Sequence, residues 1–426
     1  MPQTDHEPIK TERAHQRSDK QAPSRLRSWL GKLLLVLISV FIAALMAEIA
    51  LRVVGFSHEE FYQPHPVLGY TLRTGKEGWY RKEGQSYVRV NSEGLRDREH
   101  AKAKPAGTFR IALLGDSYSE ALQVAMEESY WALLEKKLQE CGAFGGRKIE
   151  IINFGVSGYS TGMELLTLRE RVWRYSPDLV MLQITTNNDI SDNVRSLKKT
   201  DRVPYFIHQD GKVVLDDSFK RRRTFQWGQS EVARLGRWLE DHSRLVQAIE
   251  KGHRGFKEWL ASRRAPAVTA QVTTASALAA PAGSELGVDN LVYGEPRDAV
   301  WKDAWRLTEN LIVIMNSEVR GQGAQFMLVT SSNGIQVYPD AEVRKTFLQG
   351  IGGSDLFYPE KRFRALGARE GIPVITLAPQ MQGYADQNKA FLHGFGDKMG
   401  EGHWNPLGHR VASELMAQEL CAGVVK

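Results

Sequence analysis

The chain has 426 residues, 42% hydrophobic and 25% charged, so it has the apolar material for a sizeable buried core spread over one or two domains. Much of its net charge of +6 sits in the N-terminal tail and in the run Lys220-Arg221-Arg222-Arg223, with no zinc-finger spacing or RNA-binding aromatic signature beside either, which argues against a nucleic-acid partner. Two cysteines, Cys141 and Cys421, exclude a disulfide framework; one bond between them in an oxidising compartment and two ordinary thiols are both open.

Residues 1–28 are polar, charged and aperiodic, and are expected to be disordered. Leu30 to Ala47 then reads LGKLLLVLISVFIAALMA, uncharged after Lys32. As a helix this stretch measures about 27 Å, enough to cross a bilayer. Trp29 suits one interface, and Glu48 and Arg52 can pair at i, i+4 at the other. A long polar segment precedes the span, no A-x-A site follows it, and it has no polar face. Residues 29–54 are therefore expected to be an uncleaved transmembrane anchor rather than a signal peptide or a core helix. The tail's Lys10, Arg13, Arg17, Lys20, Arg25 and Arg27 place the N-terminus in the cytoplasm and the rest of the chain outside it.

Residues 55–105 are expected to form a small extension packed on the main domain, with no chemistry of its own. Tyr87 to Val90 reads as a strand and Asn91 to Gly94 as a turn. The histidines here, His58, His65 and His100, show no partner pattern and are expected at the surface, like His6 and His15. From 106 to 425 the pattern alternates. Five short apolar runs (Arg110–Leu114, Ile149–Asn153, Leu179–Ile184, Phe326–Thr330 and Pro373–Leu377) suit strands buried on both faces. Helical spacing marks Tyr130–Glu140, Gly162–Tyr175 and Trp301–Val319. The expectation is an α/β fold: a doubly wound, parallel five-stranded sheet in a three-layer α/β/α sandwich. An insertion at about 196–292 interrupts it, with helices over Glu231–Leu239 and Ser243–Leu260. Residues 265–287, rich in Ala, Thr, Ser and Pro, read as a linker or loop.

Candidate chemistry lies at strand ends, where ligands bind in open parallel sheets. After the first strand comes Gly115-Asp116-Ser117, whose serine can project into a cleft or simply cap the next helix. The second strand ends Asn153-Phe154-Gly155-Val156-Ser157-Gly158, where glycines can bring backbone N–H groups to a ligand. The third ends Thr186-Asn187-Asn188-Asp189, which offers a side-chain amide to a developing oxyanion or an ordinary turn. Near the C-terminus stands Gly400-Glu401-Gly402-His403-Trp404-Asn405-Pro406. His403 could take a proton from a serine hydroxyl, and a carboxylate would hold its tautomer; Glu401 is near enough in sequence to supply it. Trp301, Trp305 and Tyr293 read as core rather than as a sugar platform. Metal-ligand and phosphate-loop spacings are lacking, so neither metal nor cofactor is expected.

With four such blocks in this order, the sequence resembles the SGNH hydrolases, also called GDSL esterases, over about 105–195 and 300–420. The resemblance implies Ser117 as nucleophile and His403 as base, with the oxyanion hole formed by Ser117 N–H, Gly158 N–H and the Asn188 side chain. His409 is then a packing residue. Two positions depart from the usual pattern: Thr186 stands where the third block has glycine, and Gly400 where the last often has aspartate. Polysaccharide-acetylating relatives carry an acid two residues before the histidine, so the expected triad is Ser117-His403-Glu401, with Asp397 as the fallback acid. The implied activity is that of an extracytoplasmic serine esterase acting on an acyl, above all acetyl, ester of a glycan or small envelope substrate, alongside polysaccharide-modification partners. An O-acyltransferase using the same site, a lipase or thioesterase, and a non-catalytic envelope scaffold are the alternatives.

Overall fold

A computed structural model of the chain describes residues 25–264, 288–353 and 355–425. The expected linker at 265–287 and the tail up to residue 24 lie outside the described residues, while 25–28 are helical rather than disordered. The chain divides into two compact units, Met1–Phe56 and Ser57–Lys426. The first contains a helix, Arg25–Val53. Its stretch Trp29–Val53, 25 residues, is long and apolar enough to cross a membrane; by length and composition it would equally suit a signal sequence.

The second unit opens with two antiparallel hairpins, β1 (Tyr62–His65) with β2 (Gly69–Leu72) and β3 (Glu77–Tyr80) with β4 (Ser86–Arg89). These enclose a minor core of Phe61, Leu72, Val88, Val90 and Leu122. A five-stranded sheet follows, built from β5 (Thr108–Leu114), β6 (Lys148–Asn153), β7 (Leu179–Ile184), β10 (Gln325–Thr330) and β11 (Val374–Thr376). Every pairing in it is parallel, and the order is β11-β10-β7-β5-β6. The chain thus starts in the interior, steps out to β6 and returns past β5 to β7, so the winding direction reverses between β5 and β7.

Both faces are covered, which explains the unbroken apolar runs. Ala112, Leu114, Val180, Leu182 and Leu328 point to the layer holding helices Thr161–Glu170 and Ala299–Gly321. Ile111, Leu113, Leu179, Met181 and Met327 point to the layer of helices Tyr130–Glu140, Ala378–Asn388 and Pro406–Cys421. Trp301, Trp305 and Tyr293 are buried in the first layer. Cys141 and Cys421 form a disulfide with Cα atoms 6.2 Å apart, joining the ends of two helices in the second.

Three expectations need correction. The helix read over Gly162–Tyr175 ends at Glu170, because Arg171 leaves helical geometry while its guanidinium reaches the Glu93 carbonyl and Thr71 Oγ1; a 3₁₀ turn, Val172–Tyr175, follows. The insertion contains a hairpin, β8 (Tyr205–Gln209) with β9 (Lys212–Asp216), before its helices Glu231–His242 and Arg244–Arg264. His100 is half-buried with its side chain enclosed: its Nδ1 lies 2.8 Å from Glu150 and its Nε2 3.1 Å from Asp97. Burial pulls its pKa down, but the two carboxylates outweigh burial and raise it to about 9.

Candidate active site

Ser117 begins a four-residue helix directly after β5, at the carboxyl edge of the sheet beside the reversal point. Asp116 caps that helix, its carboxylate accepting from Tyr118 N at 3.1 Å. The same buried carboxylate accepts from Thr185 Oγ1 at 3.0 Å and Asn188 Nδ2 at 3.2 Å, and burial raises its pKa. It therefore ties the serine turn after β5 to the amide turn after β7. Ser117 itself is half-buried, so its hydroxyl can meet a ligand.

His403 reaches Ser117 from the far end of the chain. Its Nε2 lies 2.8 Å from Ser117 Oγ, a hydrogen bond. Its Nδ1 lies 2.5 Å from Glu83 Oε2, and its backbone N–H donates to Glu83 Oε1 at 2.7 Å. With Glu83 accepting at Nδ1, the tautomer carries its proton there and leaves Nε2 free to accept from the serine hydroxyl. Burial works to raise the pKa of Glu83, but the bonds from His403 outweigh it, so the carboxylate sits below its ordinary value and stays charged.

Glu83 corrects two expectations. The acid on the histidine is this residue, not Glu401 or Asp397, and the 55–105 extension brings it there from the turn between β3 and β4. Gly400 and Gly402, at φ +90° and +65°, turn the chain sharply on both sides of Glu401. Glu401 ends on the wall of a small cavity with Asn333, Tyr338 and Asn187, while His403 turns towards Glu83. Asp397 is exposed at the tip of its loop. Gly402 has a second reason to be glycine, since a Cβ there would overlap the Glu83 carboxylate.

The histidine loop rests on two residues that carried no sequence signal, His393 and Ser332. The buried His393 donates from Nδ1 to the Gly402 carbonyl at 2.7 Å, and its Nε2 accepts from Ser332 Oγ at 3.0 Å. That arrangement needs a neutral ring, and burial lowers its pKa to about 4. Trp404, fully buried, donates to the same Ser332 oxygen, and Asn405 caps the final helix by accepting from Gly408 N at 3.0 Å. His409 is buried on Tyr130, whose backbone N–H it accepts at 3.2 Å.

The three oxyanion candidates lie around the same edge. Gly158 has φ +74°, and its N–H, like that of Ser117, has no acceptor among the described residues. Asn188 donates one amide proton to Asp116 and keeps a second. Thr186, in place of the expected glycine, is buried and accepts from Asn333 Nδ2 at 3.1 Å.

Strand order and site together define a class: a three-layer α/β sandwich carrying a serine, an imidazole and a carboxylate in line at the carboxyl edge of its sheet, an arrangement similar to that of SGNH-type esterases. Comparison with known proteins gives distant likenesses. No protein-family model matches the chain. An arylesterase of Vibrio mimicus is 32% identical over 81 residues, which are 19% of this chain and 38% of the arylesterase, so the match spans well under half of that relative. Among solved structures, LAE5, an alpha/beta hydrolase enzyme from the metagenome of Lake Arreo, has a TM-score of 0.37 and 12% identity, covering 75% of this chain and 97% of its own. The acetyl xylan esterase AlAXEase has a TM-score of 0.35 and 14% identity over 72% and 98%. Axe2 of Geobacillus stearothermophilus, an acetylxylan esterase, has 0.36 and 12% over 73% and 94%. At these scores the structures add nothing to what the geometry of the site says.

Proposed function

We propose that the chain is a carboxylic ester hydrolase using Ser117, His403 and Glu83 as its triad. The observation that carries this is the continuous line from Ser117 Oγ through both ring nitrogens of His403 to the Glu83 carboxylate. Ser117 Oγ attacks the ester carbonyl as its proton passes to His403 Nε2, and Glu83 stabilises the imidazolium. The oxyanion accepts from the N–H groups of Ser117 and Gly158 and from Asn188 Nδ2. The leaving alcohol takes the proton from Nε2, and water then releases the acid from the acyl-enzyme by the reverse sequence.

A small acyl group on a glycan is the substrate we favour. The cavity beside the histidine loop, lined by Asn187, Asn290, Asn333, Tyr293 and Tyr338 together with Ile335 and Phe347, holds only about 20 Å³, which supports a small acyl group rather than a long alkyl chain. The N-terminal helix serves as a membrane anchor with the catalytic unit outside the cytoplasm. The basic tail supports that orientation, and the Cys141–Cys421 bond suits an oxidising compartment. Ser117→Ala tests the catalytic reading: release of nitrophenol from nitrophenyl acetate should vanish with near-UV circular dichroism unchanged, and undiminished turnover would refute it. A further comparison of nitrophenyl acetate with nitrophenyl octanoate should favour acetate at least about tenfold in kcat/KM.

A further inference from the structure

The two helices of the insertion are turned inside out. In Glu231–His242 the side facing the body is polar apart from the buried Ala233: Arg237 donates to the Gly228 carbonyl at 2.9 Å, and Asp241 pairs with Arg73 and with Lys76 at 2.7 Å. Its apolar residues Val232, Leu235, Trp238 and Leu239 recur at i, i+3, i+6 and i+7 on the opposite side, and Leu235 and Trp238 are 57% and 54% exposed. Arg244–Arg264 repeats the inversion. Gln247 accepts from His58 N at 3.0 Å and Arg254 pairs with Glu60 at 2.8 Å, while Ile249 and Phe256, seven residues apart, are 63% and 56% exposed. A water-facing helix pair would carry the opposite pattern, so these apolar faces await a cover.

Charge and chain continuity identify it. Between Lys220 and Arg264 basic residues outnumber acidic ones twelve to five, and although Lys220, Arg222 and Arg234 pair with Asp217, Asp201 and Glu231, the exposed excess is positive. The residues that bond the polar sides, His58, Glu59 and Glu60, open the second unit. Only Val54, Gly55 and Phe56 separate that unit from the apolar helix ending at Val53, a stretch of at most about 14 Å when extended. A bilayer holding that helix is therefore the apolar phase within reach. We propose that the outward faces of Glu231–His242 and Arg244–Arg264 dock in the interface of an anionic lipid bilayer, as paired amphipathic helices lying in its plane. The inference rests on the anchor reading of the N-terminal helix. It adds a second attachment that would set the orientation of the catalytic cleft over the membrane.

The full chain, one copy per lipid nanodisc, tests this by nitroxide accessibility. Both native cysteines are bonded, so L235C, I249C, L37C and Q387C each offer a single thiol. In discs containing phosphatidylglycerol, labels at L235C and I249C should be reached by oxygen and shielded from a water-soluble nickel chelate. Q387C should show the reverse, and phosphatidylcholine alone should weaken the shielding. L37C reports the anchor separately. A lipid-embedded L37C with water-exposed L235C and I249C would overturn the docking alone; a water-exposed L37C would overturn both. Shielding that grows with protein concentration in detergent but is absent in single-copy discs would assign the faces to a second copy and also overturn it.

Discussion

Two loops meet at the imidazole, and they are held very differently. The loop carrying His403 is part of the sandwich: Trp404 and the final helix are buried in its second layer, His393 and Ser332 bond it from below, and the disulfide fixes the helix end. The turn carrying Glu83 belongs to a hairpin that rests on a minor core of five buried residues, Phe61, Leu72, Val88, Val90 and Leu122. The proposed nucleophile and base thus draw on the stability of a large fold, whereas the proposed acid depends on a small module docked against it. The acid should be the first part of the triad to fail when the protein is stressed.

The largest effect expected is that of Ser117→Ala or His403→Ala, a loss on the order of 10⁴-fold or more in kcat for nitrophenyl acetate, because each removes the chemistry itself. Glu83→Gln should cost about 10²- to 10⁴-fold in kcat with little change in KM, by losing the tautomer and the stabilised imidazolium. Gly402→Ala should approach that loss, since its methyl group would displace the carboxylate. A core pair sharpens the comparison further. Leu72→Ala in the minor core shared by the two hairpins and Leu134→Ala in the sandwich should each cost about 2–5 kcal/mol. Leu72→Ala should lose activity in urea before near-UV circular dichroism changes, whereas Leu134→Ala should lose both together.

The smallest effect concerns pH. His100, with a folded pKa near 9, is raised above the ordinary histidine value, so its contribution to stability is complete below about pH 6.5 and is lost as pH rises through 9. Denaturant titrations should show wild type losing about 1–3 kcal/mol more than His100→Gln between those pH values.

The parallel sheet was legible because strands buried on both faces must be apolar throughout, and runs such as Leu179–Ile184 are. Ser117 and His403 could be singled out as candidates because each stands at a strand end or before a helix cap with glycines around it, and the structure sets them 2.8 Å apart. Glu83 was not, since nothing local distinguishes a lone glutamate in a hairpin turn. Only the fold shows that the turn reaches the imidazole, and Glu401, two residues from His403, was the nearer carboxylate in sequence but not in space. The inversion of Glu231–His242 was equally hidden, because the same helical periodicity serves either face.

The assignment of the acid is the central claim, and the rate of covalent capture by a fluorophosphonate tests it most directly. With the adduct mapped by mass spectrometry to Ser117, Glu83→Gln should slow capture about 10²-fold or more and Glu401→Gln should leave it within about twofold of wild type. Normal capture in Glu83→Gln together with slow capture in Glu401→Gln would contradict the account.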